Sequence, residues 1–158
     1  TGLWFEGQKY FGDTLTEQYE EKEAEKMPVL GEAKRWLDIY FSGRDPGFTP
    51  PLAMEHMTEF RRQVCEIMLD IPFGETMTYG QIAKRVAQMR GLESMSSQAV
   101  GGAVGHNPVS LIIPCHRVVG TNGSLTGYAG GIEKKVKLLT LEQTDMTGLF
   151  VPKKGTAL

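Results

Sequence analysis

The chain is poor in the residues and patterns that would widen its chemistry. Of 158 residues only two are cysteine, Cys65 and Cys115, and three are histidine. No C-x-x-C and no His-x-x-x-His pair occurs, so a zinc site finds no support and no metal or cofactor is expected. Long apolar runs are missing as well. The most apolar stretch, Leu111 to Cys115, falls far short of the roughly 20 residues that cross a bilayer, so no membrane partner is expected. The opening "TGLWFEGQKYF" has neither a basic start nor an apolar core and does not read as a secretory signal. Lacking an initial Met, it leads us to expect further residues upstream. A reducing cytoplasm is the expected location, where a thiol beside an imidazole stays a nucleophile.

A strong net charge is the last thing lacking: the total is −2. That figure hides an uneven distribution. Residues 1–50 carry 6 basic and 10 acidic groups, whereas residues 76–137 carry 7 basic groups against only Glu93 and Glu133. Screening confines the relevant field to about 10 Å, so a local basic surface can hold phosphates whatever the whole chain's charge. The remaining composition, 41% hydrophobic and 23% charged, is that of a globular protein able to bury a core, and the length suits one domain or two small ones.

The apolar residues then give the elements. "LWFEGQKYF" alternates unevenly and predicts an edge strand, and "EQYEEKEAEKMP" is a charged stretch ending at Pro28. Ala33, Trp36, Leu37, Tyr40 and Phe41 recur at helical spacing, after which "SGRDPGFTPP" breaks the chain and marks a domain boundary. Phe60, Val64, Ile67 and Met68 predict a second helix capped by Thr58, with Cys65 off the centre of its stripe and structural. "TYGQIAKRVA" opens on a capping box, Thr78 with Gln81, and buries Ile82, Ala83 and Val86. A turn-rich link leads to Ser96 or Ser97 as the next cap and to "QAVGGAVG", completing a helix-turn-helix pattern. Gly101, Gly102 and Gly105 each cost that helix about 1 kcal/mol relative to alanine. Small residues let its backbone approach another surface, a neighbouring helix or a nucleic-acid groove, and the basic window favours the groove.

"LIIPCHRVVGTNG", residues 111–123, sets Cys115 beside His116 in a segment that predicts a strand, along which neighbouring side chains point to opposite faces. Either Pro114, which donates no backbone hydrogen bond, bends the chain there, or one water bridges thiol and imidazole. The glycine-rich "LTGYAGG" follows, and then Ile132, Val136, Leu139 and Glu142 fall on successive turns of a last helix. Glu142 would point inward and need a partner, for which His116 is the natural candidate. A Cys–His–Glu relay results, in which the carboxylate fixes the imidazole tautomer and the imidazole lowers the thiol pKa.

Tyr79, "AVGGAVGHNPVSLIIPCHRVVG", "GYAGG" and "KLLTLE" ending at Glu142 closely resemble the O6-alkylguanine-DNA alkyltransferases, or methylated-DNA–protein-cysteine methyltransferases. The match spans Phe60 to Glu142 in order and spacing, and Pro-Cys-His-Arg-Val is its most specific core. The resemblance implies an α/β (α+β) architecture. Residues 1–52 would be a partial α/β domain and linker, the domain being small, incomplete and RNase H-like. Residues 53–158 would be a mainly helical winged helix-turn-helix domain. Cys115 would take the alkyl group from O6-alkylguanine or O4-alkylthymine, once and irreversibly, with His116 acting through a water and Glu142 orienting it. Asn107 would brace the turn under the active-site loop, and Tyr79 would offer a proton near the guanine N3.

Backbone groups at Cys115, Val118 and Ala129 would read the base edge. Thr78, Ser97, Gln98, Ala99, Gly102, Tyr128 and Gly130 would complete the contact with double-stranded DNA, the protein acting as a monomer. Where the family pattern is "SSRAVGG" this chain has "SSQAVGG", placing Gln98 where an Arg fills the space left by the extruded base. Two other classes share parts of the pattern. A cysteine hydrolase would also use Cys115 and a His, but it would turn over and needs no glycine-rich helix. A lesion-binding module or regulator without chemistry would keep the helix-turn-helix, yet such relatives lack the acceptor thiol, which Cys115 supplies.

Overall fold

The computed structural model describes residues 2–15, 23 and 26–153. Most of the charged stretch "EQYEEKEAEKMP" therefore lies outside the described residues. The elements are α1 (Pro28–Phe41), α2 (Glu59–Leu69), β1 (Met77–Thr78), α3 (Tyr79–Met89), α4 (Ser97–Gly105), β2 (Val118–Val119) and α5 (Ile132–Leu141). The architecture is helical with one small sheet, in which β1 and β2 run parallel with Met77 opposite Val118 and Thr78 opposite Val119. Among the described residues no helix is long and apolar enough to cross a membrane.

Local chemistry accounts for the helix starts. Pro28 opens α1, where its missing N–H costs nothing. Thr58 caps α2 through the Arg61 amide, and the reciprocal Thr78–Gln81 box starts α3. Ser96, rather than Ser97, caps α4 by accepting from the Ala99 amide. The apolar faces of α2, α3 and α4 meet in one core that includes Val64, Met68, Ile82, Val86, Val100 and Val104. Trp36 and Tyr40 of α1 join that same cluster, their rings stacked 5.0 Å apart. Each such side chain contributes roughly 1.5–3 kcal/mol by leaving water. Val119, Leu125 and Leu139 form a second, smaller cluster beneath α5.

Three expectations are corrected. The N-terminal segment is not an edge strand. Only Leu3 bridges Val109, and positive φ at Gly7, Tyr10 and Gly12 turns the rest back on itself. Leu111 to Cys115 is not a strand either. Leu111 takes φ +71°, the Ile113 amide donates to the Val109 carbonyl at 3.0 Å, and Pro114 leads into a 3-10 turn over Cys115–Arg117. An apolar run without periodicity fits a buried turn as well as a strand. Finally, Glu142 is the residue that ends α5 rather than part of its face, and the helix buries Lys135, Leu138 and Leu139.

Candidate active site

The site is assembled around the 3-10 turn. Because Cys115 and His116 lie on a tight turn, the alternation of a strand no longer separates their side chains. Asn107, just past α4, holds the turn from below. Its Oδ1 accepts from the Val109 amide at 3.0 Å, while Nδ2 donates to the Ile113 carbonyl at 2.8 Å and to Cys115 Sγ at 3.0 Å. Asn107 therefore braces the turn and also touches the thiol. Cys115 is 4% exposed.

His116 is fully buried, and its Nε2 lies 2.5 Å from Glu142 Oε1. Two lone pairs cannot face each other at that distance, so the ring proton sits on Nε2. Nδ1 is left as the basic nitrogen; it is buried and makes no hydrogen bond to another described protein atom. Glu142 also accepts from Arg117, through Nε at 2.8 Å and Nη2 at 3.1 Å, from the Tyr40 hydroxyl at 2.7 Å and from the Gly74 amide at 3.2 Å. Gly74 holds φ +80°, and a Cβ there would meet the Glu142 carbonyl at 2.9 Å, so only glycine suits the turn that offers this amide. Burial alone would raise the Glu142 carboxyl, but the hydrogen bonds and charges of His116 and Arg117 outweigh it and hold it at about 2. Burial pushes His116 down, with Glu142 pulling the other way.

The thiol differs from expectation in its electrostatics. Burial pushes Cys115 above the ordinary thiol range, and what opposes this is the Asn107 amide, the Lys135 charge and the backbone amides of Cys115 and His116, with no contribution from the imidazole. Lys135 is wholly buried on α5, its Nζ donating to the carbonyls of Val118 at 2.6 Å and Thr126 at 2.9 Å. Desolvation lowers it to about 8. Burial thus favours the protonated form of the thiol and the neutral form of the imidazole.

Sequence reasoning missed three of these groups. Tyr40 reads as one more apolar residue on α1, and Lys135 and Arg117 as part of the basic surface of residues 76–137, although Arg117 sits inside the quoted Pro-Cys-His-Arg-Val. With Arg117 and Lys135 buried, the basic window keeps a surface excess of three charges, from Lys84, Arg85, Arg90, Lys134 and Lys137 against Glu93 and Glu133.

Known proteins resemble this chain in sequence and in fold. The family described as "6-O-methylguanine DNA methyltransferase, DNA binding domain" matches residues 59–144. A methylated-DNA–protein-cysteine methyltransferase of Methanosarcina acetivorans is 48% identical over 118 residues, which is 75% of this chain and 72% of that one. The chain belongs to the methylated-DNA–protein-cysteine methyltransferase family. The crystal structure of Mycobacterium tuberculosis OGT in complex with DNA superposes with a TM-score of 0.62 at 42% identity, covering 72% of this chain and 65% of that one.

In this family member the residues expected to meet DNA fall in two places. Ser97, Gln98 and Ala99 are exposed on the first turn of α4, and Gln98 lines a cavity of about 340 Å³ with Tyr79, Ser97, Gly101, Thr126 and Gly127. The Tyr79 hydroxyl donates to the Thr126 and Gly127 carbonyls at 3.3 and 3.2 Å, and burial raises its pKa. Thr78 is taken up in the capping box, and Gly102 has nothing within 4 Å of where a Cβ would stand. Packing inside the chain therefore does not require that glycine. The second place is the active-site rim, where Tyr128 and Gly130 are buried and Ala129 is half-buried. There the Val118 carbonyl already accepts from Lys135, and the Ala129 carbonyl accepts from the Lys9 amide at 3.2 Å.

Proposed function

We propose that this protein repairs alkylated double-stranded DNA by moving the alkyl group of O6-alkylguanine, or of O4-alkylthymine, irreversibly to Cys115 Sγ. The observation that carries the reading is a buried thiol fixed by Asn107 beside an imidazole whose proton Glu142 holds on Nε2. The thiol proton passes to His116 Nδ1 through one water, and the thiolate attacks the alkyl carbon. The S–C bond forms as the C–O6 bond breaks, the electron pair leaves with guanine, and Tyr79 supplies a proton near N3. Displacement at an alkyl carbon builds no tetrahedral oxyanion, which fits a site organised around a nucleophile and its base.

The target base must leave the stack, which takes a few kcal/mol. On this reading residues 53–158 are the alkyltransferase domain, a winged helix-turn-helix whose α3 and α4 enter the minor groove, with Gln98 filling the vacated space. Residues 1–52 are the RNase H-like part and its linker, and the protein works as a monomer in the cytoplasm. A thioether has no activated leaving group, so one molecule repairs one lesion. Incubated with an excess of duplex carrying O6-methylguanine, the protein restores guanine up to one equivalent and then stops. Restoration of several equivalents would show a catalytic hydrolase or transferase instead, and none would leave a lesion-binding protein.

A further inference from the structure

Tyr40 lies outside residues 59–144, over which the family's DNA-binding domain matches, yet its hydroxyl reaches the centre of the site. It donates to Glu142 Oε1 at 2.7 Å and stands 3.2 Å from His116 Nε2. The side chain is fully buried, clamped between Trp36 on one face and the edges of Phe41 and Phe73 on others. Since the Tyr40 proton is committed to Glu142, the oxygen lone pair faces the Nε2–H. That hydrogen is then shared between the carboxylate and the phenol, and the ring can neither flip nor shift its proton to Nδ1 without leaving two acceptors in contact.

We propose that Tyr40 is a positioning residue of the transfer reaction, holding His116 with its proton on Nε2 so that Nδ1 is free to take the thiol proton. This rests on the reading of Cys115 as nucleophile and His116 as base. In the step it serves, a proton leaves Cys115 Sγ for His116 Nδ1, the sulfur keeps the electron pair, and the new imidazolium keeps its Nε2–H toward Glu142 and Tyr40. The other groups that bear on the imidazole are Arg117 beside it, Lys135 from α5 and Tyr128 from the loop before α5. Tyr79 of α3 and Cys65 of α2 are coupled electrostatically to the thiol. None of these supplies a hydrogen-bond acceptor to Nε2, so Tyr40 and Glu142 share that task among the described residues.

The test is Tyr40→Phe, which keeps the ring and its stacking and removes one oxygen. Alkylation of Cys115 is followed by peptide mass with iodoacetamide and with free O6-benzylguanine, from mildly acidic to alkaline pH. The variant is expected to melt cooperatively and to react about tenfold more slowly near neutrality with both reagents. The deficit closes at alkaline pH, where the thiol ionises without a base. An unchanged pH profile, or a loss of the same size at every pH, overturns the proposal. The iodoacetamide arm separates the two ideas: a pH-dependent deficit there, with no reaction of either protein with O6-benzylguanine, keeps Tyr40 and sinks the alkyltransfer. The ring nitrogen resonances of His116 in the unsubstituted protein give a second reading independent of folding of the variant, and a proton on Nδ1 overturns the proposal.

Discussion

Two oxygens of Glu142 accept five hydrogen bonds, from Tyr40, Gly74, His116 and twice from Arg117, and the side chain is wholly buried. A carboxylate so satisfied stays ionised, which is what a fixed imidazole tautomer requires. The same bonds make stability depend on pH. Glu142 ionises near 2 in the folded chain against 4.5 as an ordinary carboxyl, so between those values the unfolded chain binds more protons. Its contribution, about 3 kcal/mol, is complete above the ordinary value and is lost as pH falls toward 2. His116 acts in the same sense: its folded pKa lies below 6.5, so loss begins as pH drops through that value. Glu142→Gln leaves the Arg117 charge buried without its partner and is expected to cost about 3 kcal/mol at neutral pH. Urea unfolding of both proteins across acid pH checks this, the two stabilities converging as the wild-type carboxylate titrates. The variant is also expected to bind duplex DNA while transferring more slowly, with partial recovery at high pH. Equal loss of binding and transfer would make Glu142 purely structural.

The helix α4 carries the features that point outward. Its inner positions, Val100, Ala103 and Val104, are buried in the core, while Ser97, Gln98 and Ala99 stand on the surface and Gly102 leaves open space above the backbone. A helix that spends stability on a glycine that no described residue crowds leaves its backbone open to an approaching surface. Gln98 is shorter than arginine and uncharged, so in the proposed finger role it would fill a vacated base stack less completely and would not draw phosphates, though its amide could bond an orphaned cytosine. Gln98→Arg is therefore expected to speed single-turnover repair of duplex DNA several-fold and to leave reaction with free O6-benzylguanine unchanged, since the free base needs no extrusion. If the guanidinium reaches a phosphate, the salt slope of binding steepens by about 1. Equal acceleration on both substrates, or none on the duplex, would place the finger elsewhere.

Across the whole molecule, what could be read from sequence was what short-range chemistry decides. The Thr78–Gln81 box, the Thr58 cap and the stripes of α2 and α3 lie within a few residues of what they organise, and each is present in the structure. The two-residue strands carry too little pattern to be seen, and Leu111 to Cys115 is apolar because it is buried, whatever its backbone does. The pairing of His116 with Glu142 was legible because an inward-pointing carboxylate demands a partner, although Glu142 ends α5 and does not lie on its face. Tyr40 was not, since its hydroxyl reaches across 102 residues to Glu142, and nothing in helical spacing separates a tyrosine that packs from one that also donates. Lys135 was hidden for a related reason: its partners are backbone carbonyls, which every residue offers. Such contacts surround the turn that carries Cys115, and the fate of its sulfur is the central claim. The most direct measurement is the intact mass of the protein, with peptide mapping, after incubation with duplex DNA containing O6-methylguanine. The account predicts a gain of one methylene, located on Cys115 and absent from Cys115→Ser. Repair of the DNA with no change in protein mass, or a methyl group on any other residue, would contradict it.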